Sequence, residues 1–336
     1  MEVGYLPGMG LHDYLSHTAE IHPHLRALLE FSAPRAEEAL ARLMTVANEF
    51  DCDDTGRGDS YRRAQEDALV RWTGVQQLLR WAVASDDPAS VTVLDVLGGD
   101  GTLARAVAEK PDDPMSKVQV LTGDISGMMI KRALAQNLPA VRQNADFLFL
   151  RNESVDAVVL AYGTHHISPE SRPKALAEAV RVVRPGGRVI VHDFEETSPM
   201  ARFFSQVVHP NTSAGHDYEH FSPEELTRLF DSAGLTAEIV YMYDPFVVVA
   251  ASADEARRGM CRYVGDMYGV QGVLGGDGDP GSSWALLESC FDHSRYVHQL
   301  PSALEIVERP MVYEAQGNFV AEVPRVSIVG LGQKDC

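Results

Sequence analysis

The stretch Val91-Thr92-Val93-Leu94-Asp95-Val96-Leu97-Gly98-Gly99-Asp100-Gly101-Thr102 decides the fold of this chain. Its β-branched residues predict a buried strand over residues 91–96, and its glycines predict a tight turn into a helix over residues 102–109. Glycine allows positive φ angles and a close approach of backbone to ligand, while a helix N-terminus presents unpaired N–H groups. The stretch therefore predicts a ligand-binding strand–turn–helix unit.

The same alternation continues along the chain to about residue 193. Further strands are predicted at residues 118–122, 155–161 and 188–193, and further helices at residues 127–136 and 172–183. Such βαβ units predict an α/β fold of the Rossmann-like kind, with a sheet that carries helices on both faces.

Segments with helical periodicity flank this core on both sides. Apolar residues recur at helical spacing before it, and a helical segment with a glycine-rich loop at residues 272–281 follows it. A final strand is predicted near residues 321–331. The predicted division is a helical cap or lid over residues 1–88, the core over 89–250, and a helical insertion with the last core strand over 251–336.

Composition limits the classes of partner. The chain has 336 residues, 45% of them hydrophobic, and 48 acidic against 29 basic residues give a net charge of -19. Such a surface repels phosphate backbones, so nucleic acid is not an expected partner. No apolar run is long enough to span a bilayer, and no basic segment followed by an apolar one opens the chain. The four cysteines form no C-x-x-C pair, so we expect neither a zinc framework nor disulfides, and we expect a cytoplasmic protein.

The glycine turn by itself fits two kinds of cofactor. Residues 99–104 satisfy the pattern G-x-G-x-x-A, and Asp124 follows at about the distance of a dinucleotide ribose ligand. An NAD-dependent oxidoreductase therefore remains an alternative at this point.

Later segments decide between these cofactors. They are Thr122-Gly123-Asp124-Ile125-Ser126, Asn144-Ala145-Asp146-Phe147, Ala161-Tyr162-Gly163-Thr164-His165-His166 and Arg184-Pro185-Gly186-Gly187. With the glycine turn, they resemble in order and spacing the motifs of class I S-adenosylmethionine-dependent methyltransferases, over about residues 90–193. The family usually has D-x-G-x-G-x-G, whereas Leu97 stands here at the first glycine, so we expect a slightly different turn.

The resemblance implies S-adenosylmethionine as the cofactor and a set of residues that bind it. The glycine turn would hold the methionyl part, and Asp124 would bind the ribose hydroxyls. Asp146 and Phe147 would bind the adenine, and the segment that begins at Ala161 would line the sulfonium. The residues so implied are Asp95, Gly98, Gly99, Asp100, Gly101, Asp124, Ile125, Asp146, Phe147, Ala161 and Tyr162.

Methyl transfer also needs an aligned nucleophile and a base for its proton. His165 and His166 follow the fourth predicted strand, where open α/β sheets bind ligands. A second cluster, comprising His209, His216, Tyr218 and His220, follows the fifth strand. The four-residue spacing of its last two histidines suits a metal only on a helix, and Ser222-Pro223 predicts that the helix begins later, so no metal is assigned.

Three further segments, residues 215–221, 243–246 and 267–269, resemble bacterial C-methyltransferases of peptide-antibiotic precursor pathways, which act on tyrosine, hydroxykynurenine and related compounds. This resemblance implies that His166 or His220, with Tyr162, Tyr218 and His165, would deprotonate a phenol whose ortho carbon attacks the methyl group. Substrate contacts are predicted for His209, His216, Tyr218, Phe246 and Arg295.

The sequence leaves several readings of function open. An O-methyltransferase of a small phenol needs the same base, and a non-catalytic methyltransferase-like subunit shares the same fold. The expected partner is a small aromatic molecule, with neither nucleic acid nor membrane. The N-terminal helices are interpreted as a lid or as the interface of a homodimer.

Overall fold

A computed structural model describes residues 4–46, 48–51, 57–84, 87–213, 215–275, 280–301 and 306–336. Cys52 and residues 276–279 of the predicted glycine-rich loop lie outside the described residues, whereas Cys261, Cys290 and Cys336 are unpaired thiols. The strands are β1 (Thr92–Asp95), β2 (Gln119–Asp124), β3 (Ala140–Arg142), β4 (Val155–Leu160), β5 (Val183–Asp193), β6 (Ala237–Tyr243), β7 (Phe246–Ala250), β8 (Met311–Ala315), β9 (Asn318–Val323) and β10 (Val326–Gln333).

Seven strands form the central sheet, in the order β3-β2-β1-β4-β5-β10-β6. The first five are mutually parallel, while β10 runs antiparallel between β5 and β6. Every residue of β1 is buried, as expected of a central strand covered on both faces. The predicted Rossmann-like α/β fold is confirmed. Because β1 lies between β2 and β4, its carboxyl end and the glycine turn after it lie at the middle of the sheet edge.

Some of the α-helices cover the two faces of this sheet, and others pack with a second, smaller sheet. They are α1 (Leu11–Ile21), α2 (Pro23–Leu28), α3 (Ala36–Leu43), α4 (Arg57–Gln65), α5 (Trp72–Ala82), α6 (Thr102–Ala108), α7 (Gly127–Ala135), α8 (Arg172–Val182), α9 (Pro199–Phe203), α10 (His209–Asn211), α11 (Pro223–Ser232), α12 (Ala253–Tyr268) and α13 (Pro280–Cys290). A π-helical turn, Phe204–Val208, joins α9 to α10. Among the described residues, no helix is both long and apolar enough to cross a membrane.

The alternation of side chains along β1 shows how the two cores form. Leu94 packs in one buried cluster with residues of α2, α3, α7, α8 and α11, whereas Val93 packs in a second cluster with residues of α5 and α6. Successive side chains of a strand point to opposite faces, so each apolar strand residue contributes to one cluster only. The N-terminal helices therefore belong to the core: α2 and α3 cover one face of the sheet and α5 the other.

The segment after residue 245 contains more strand than its helical periodicity indicates. The helices α12 and α13 are present, and β7, β9 and β8 form a separate antiparallel sheet in that order. The single strand predicted near residues 321–331 is two strands, β9 and β10, separated by Pro324 and Arg325. Proline has no N–H to donate to a strand ladder, which fits a break at this position. This small sheet and its helices enclose a third apolar cluster.

Candidate functional site

The glycine turn after β1 has the conformation that only glycine adopts without strain. Gly99 has a φ of +59° and Gly101 a φ of +92°. A Cβ atom on Gly101 would lie 2.4 Å from Leu138 Cδ1, and one on Gly98 would lie 2.8 Å from Thr122 Cγ2. The turn is closed by hydrogen bonds from the Gly98 N–H to the Gly123 carbonyl (2.8 Å) and from the Gly101 N–H to the Gly98 carbonyl (2.9 Å). The chain therefore passes close to the strand ends with its backbone facing outward.

Two carboxylates flank this turn in unusual electrostatic states. Burial and then the charge of Asp124 raise the pKa of Asp95 to about 8, and the Asp95 Oδ2 atom is buried without a hydrogen-bond partner. Burial also raises the pKa of Asp124 to about 6, although the N–H groups of Ser126 (2.8 Å) and Gly99 (2.9 Å) stabilise its ionised form. A buried carboxyl oxygen without a partner suits a cationic ligand group.

A cavity of about 380 Å³ begins at this turn, within the size range of small-ligand sites. Near the turn its walls include Leu97, Gly99, Asp124, Ile125 and Met129. The side chain of Leu97, the residue that departs from the family pattern, thus faces the cavity. On the opposite side the walls are formed by His165, His166, His216 and Tyr218. One cavity therefore joins the glycine turn to a group of imidazoles.

Asp193, the last residue of β5, organises this group. Its carboxylate accepts a hydrogen bond from His165 Nδ1 (2.9 Å), lies 3.3 Å from His220 Nδ1, and accepts the main-chain N–H of His165 (2.7 Å). Burial opposes ionisation, but the two histidines hold the pKa of Asp193 well below its usual range. An ionised carboxylate only accepts hydrogen bonds, so His165 carries a proton on Nδ1, and Nε2 is its remaining nitrogen.

His166 and His216 complete the imidazole group. His216 is 8% exposed, stacks on Phe204 with ring centroids 4.1 Å apart, and has a buried Nε2 without a partner. Burial and then the neighbouring His165 lower its pKa to about 2, so it is neutral at pH 7. The surrounding protein and then the adjacent His165 also lower the pKa of His166, although its side chain is exposed to the cavity. The π-helical turn that carries Phe204 is a feature often found at functional sites.

Tyr162 marks the junction between the two sides of the cavity. It has a φ of +62°, a strained conformation for a residue with a large side chain. Its hydroxyl donates to Asp244 Oδ1 (3.2 Å), and the guanidinium of Arg71 lies 4.8 Å from its ring centroid. A Cβ atom on Gly74 would overlap Asp244, so α5 approaches this network only through a glycine. These contacts hold the ring of Tyr162, which lines the cavity.

Sequence reasoning missed three arginines that line the cavity: Arg57, Arg71 and Arg325. Arg325 is 1% exposed and forms an ion pair of 2.6 Å with Asp244. Arg71 is 6% exposed and donates a hydrogen bond to the neutral side chain of Gln65 (3.0 Å). All three lie far from the motifs in the sequence, so no local pattern indicates their role. Their burial in the folded chain, which is unusual for a charged residue, is the signal that they belong to the cavity.

The structure brings together part of the predicted set. The predicted residues that line the cavity are Gly99, Asp124, Ile125, Tyr162, His165, His166, His216 and Tyr218. Asp95, Gly98, Asp100, Gly101 and Ala161 lie in or beneath the strand ends, where Asp100 pairs with Arg105 at 2.9 Å.

Other predicted residues lie away from the cavity walls. Asp146 pairs with Arg42 at 3.6 Å, and Phe147 lies in a separate surface cavity beside Glu30. His220 lies behind His165, and the His209 Nδ1 atom accepts the main-chain N–H of His216. Of the predicted substrate contacts, Phe246 is fully buried beneath Arg325, and Arg295 is exposed on the loop after α13.

Comparison with known proteins agrees with this geometry. Residues 93–187 match the family model described as a methyltransferase domain. Ubiquinone/menaquinone biosynthesis C-methyltransferases UbiE of Brucella abortus and Brucella melitensis are each 32% identical over 159 residues, covering 45% of this chain and 54% of theirs. The chain thus spans about half the length of the curated relatives it matches.

Solved structures show weaker likeness. A methyltransferase of Thermotoga maritima, described as S-adenosylmethionine-dependent, is 17% identical, with 84% of this chain and all of that chain covered and a TM-score of 0.46. Phosphoethanolamine N-methyltransferase 2 of Haemonchus contortus, solved with S-adenosylmethionine, is 14% identical over 87% of this chain and 61% of that one, with a TM-score of 0.47. Residues 93–187, which include four of the parallel strands of the central sheet, thus match a methyltransferase domain.

Proposed function

We propose that this chain transfers the methyl group of S-adenosylmethionine to a carbon atom of a small aromatic or enolic acceptor, ortho to the hydroxyl of a tyrosine-like compound. The observation that carries the proposal is the single cavity that runs from the glycine turn and Asp124 to His165, His166 and His216. A methyl donor held at the first end would have proton acceptors at the other. The methyltransferase domain at residues 93–187 favours this chemistry over dinucleotide-dependent oxidation.

The cofactor would be held by charge and shape at the strand ends. Asp95 lies where the amino group of the methionyl part would neutralise its buried carboxyl, and Asp124 lies at the edge of the cavity for the ribose hydroxyls. Arg71, which is buried next to Tyr162 and donates to a neutral amide, is suited to the methionyl carboxylate. Ile125 and Met129 provide apolar contact for the adenine.

The acceptor would occupy the histidine side. His166 is the most exposed of these histidines and its neutral imidazole accepts a proton, whereas His220 lies behind His165 and would act through Asp193. Removing the phenolic proton places electron density on the ortho carbon, which attacks the methyl carbon as the carbon–sulfur bond breaks. S-adenosylhomocysteine leaves, and loss of the ring proton restores the aromatic ring. Arg57, on the same wall, would face an anionic group of the acceptor.

The test is a binding and turnover experiment on the intact chain. Calorimetry with S-adenosylmethionine, S-adenosylhomocysteine and NAD would be followed by a tyrosine-centred panel of aromatic amino acids and 2-oxo acids, with the methylated atom located by mass spectrometry and NMR. We expect adenosyl binding and a methyl group on a ring carbon. A methyl group on oxygen would select the O-methyltransferase alternative, and binding of NAD alone would overturn the proposal.

Substitutions at the two histidines separate chemistry from cofactor binding. We expect His166→Ala to lower kcat by about 10²- to 10⁴-fold while the affinity for S-adenosylmethionine stays unchanged, because a general base contributes that much to the rate. His220→Ala should also lower kcat and should shift its pH profile through Asp193. Wild-type rates in both variants would refute the assignment of the proton acceptor.

A further inference from the structure

Three histidines meet at one point of the cavity in a way that no local sequence pattern indicates. His165 and His166 lie on the turn after β4, and His216 lies on the loop between α10 and α11. One ring nitrogen of each lies within 4.8 Å of one ring nitrogen of the other two. No ion is present in the structure. Side chains separated by fifty residues thus present three lone-pair donors to a single point.

The state of each ring suits a ligand more than a packing role. His216 is more than nine-tenths buried, and its Nε2 atom has no hydrogen-bond partner. A buried nitrogen without a partner costs free energy unless something occupies the site. His165 donates from Nδ1 to Asp193, which leaves Nε2 as its lone pair. This carboxylate–histidine arrangement is the one that orients metal-binding imidazoles in proteins.

We propose that His165, His166 and His216 bind one divalent transition-metal ion of the zinc, cobalt or iron(II) type. Imidazole nitrogen is a preferred ligand of these ions, and metal–nitrogen bonds of about 2.0–2.1 Å place tetrahedral ligand atoms about 3.3 Å apart. The three nitrogens would close on the ion by small rotations of the rings. Three protein ligands leave a coordination position open, which is the pattern of catalytic rather than structural metal sites.

The surroundings of the site balance its charge. Asp193 accepts a hydrogen bond from His165 directly behind the site, and a carboxylate there offsets part of the charge of a divalent cation. Arg57 lines the same cavity, so it opposes the cation but would attract an anionic ligand to it. A phenolate, enolate or carboxylate oxygen of the acceptor would therefore take the open position. The binding of an acceptor oxygen to the ion rests on the proposed function. In the metal-bound protein, His166 would be a metal ligand and not a free base.

The experiment is a metal titration that does not depend on activity. Chelator-treated full-length protein is titrated with Co²⁺, and its visible ligand-field absorption is recorded; Zn²⁺ is then added as a competitor. We expect one Co²⁺ per chain with the intense absorption of a tetrahedral site, and its loss on addition of Zn²⁺. The same spectrum should be lost in His166→Gln and in His216→Gln, while His298→Gln, which changes an exposed histidine after α13, should retain it.

The controls separate this inference from folding and from methyl transfer. Circular dichroism and S-adenosylmethionine affinity should be the same in the His166→Gln variant and the parent protein, because His166 is a cavity-facing side chain and not a core residue. A spectrum that survives in both cavity variants, or only weak six-coordinate binding, would overturn the metal site. Methylation by metal-free protein would leave the proposed function intact, whereas a bound metal without any methylation would leave the metal site intact.

Discussion

The raised pKa of the buried Asp95 carboxyl predicts that this carboxyl releases a proton when S-adenosylmethionine binds. With a pKa of about 8, this carboxyl is about 90% protonated at pH 7 in the free protein. If the cofactor ammonium lies about 4 Å away, the attraction at an effective dielectric of 20 is about 4 kcal/mol, or about 3 pKa units. The pKa of Asp95 would then fall to about 5, and each binding event at pH 7 should release about 0.9 proton.

Calorimetry measures this release directly. Titrations at pH 7 in two buffers of different ionisation enthalpy give the number of protons from the slope of the observed enthalpy. The Asp95→Asn variant should show almost no release at pH 7. At pH 9 wild type should show no net release, because the carboxyl is already ionised there and the amino group of the free cofactor, with an ordinary pKa of about 7.7–8.0, is mostly neutral. Because Asp95 loses its proton on binding, affinity should rise with pH between about 5 and 7.

A matched substitution tests whether the effect belongs to this site. Asp156 lies at the opposite end of the strands, where it accepts the Thr92 N–H and pairs with Arg184. Asp156→Asn should therefore leave the proton release unchanged. A slope of zero in wild type at pH 7, or an equal slope in wild type and Asp95→Asn, would refute the assignment of Asp95 to the methionyl amino group.

Three other substitutions test the cofactor edge and the core beneath it. Asp124→Ala should weaken S-adenosylmethionine binding by about 10- to 100-fold, because hydrogen bonds to a charged group contribute about 1.5–3 kcal/mol; an unchanged calorimetric affinity would remove the ribose assignment. Gly101→Ala should lower the free energy of unfolding in urea by about 1–3 kcal/mol, because the backbone φ is +92° and the new Cβ atom would overlap Leu138. Gly317→Ala should cost less, because that residue also has a positive φ but its Cβ atom would meet nothing within 4 Å. Arg325→Met should cost about 3–5 kcal/mol in the same assay, because it leaves the buried Asp244 carboxylate without its guanidinium partner. Arg309→Met, which breaks an exposed ion pair with Asp292, should cost about 1 kcal/mol or less. Equal losses in either matched pair would contradict these readings.

The sequence predicted most of the local structure between residues 91 and 183. The alternation of apolar and polar residues placed β1, β2, β4, α6, α7 and α8 within two residues of their observed ends, since periodicity and turn chemistry act over a few residues. It missed the short β3 and the small β7-β9-β8 sheet, and it predicted the fifth strand only from residue 188, so residues 184–187 were left outside it. In the structure these residues form an irregular part of β5, because pairing with β4 shifts register there.

Only the tertiary structure decided which side chains meet. The sequence located His165 and His166 in one loop and His216 and His220 in another, but the order β4-β5 places Asp193 between the two loops. It likewise brings Arg325, from the turn before β10, to Asp244 at the end of β6, since β10 and β6 pair antiparallel. Local patterns are set by neighbouring residues, whereas these contacts depend on strand order and on burial shared by distant segments. The sequence by itself therefore determined the methyltransferase-like core, and the packing of the sheet determined the composition of its cavity.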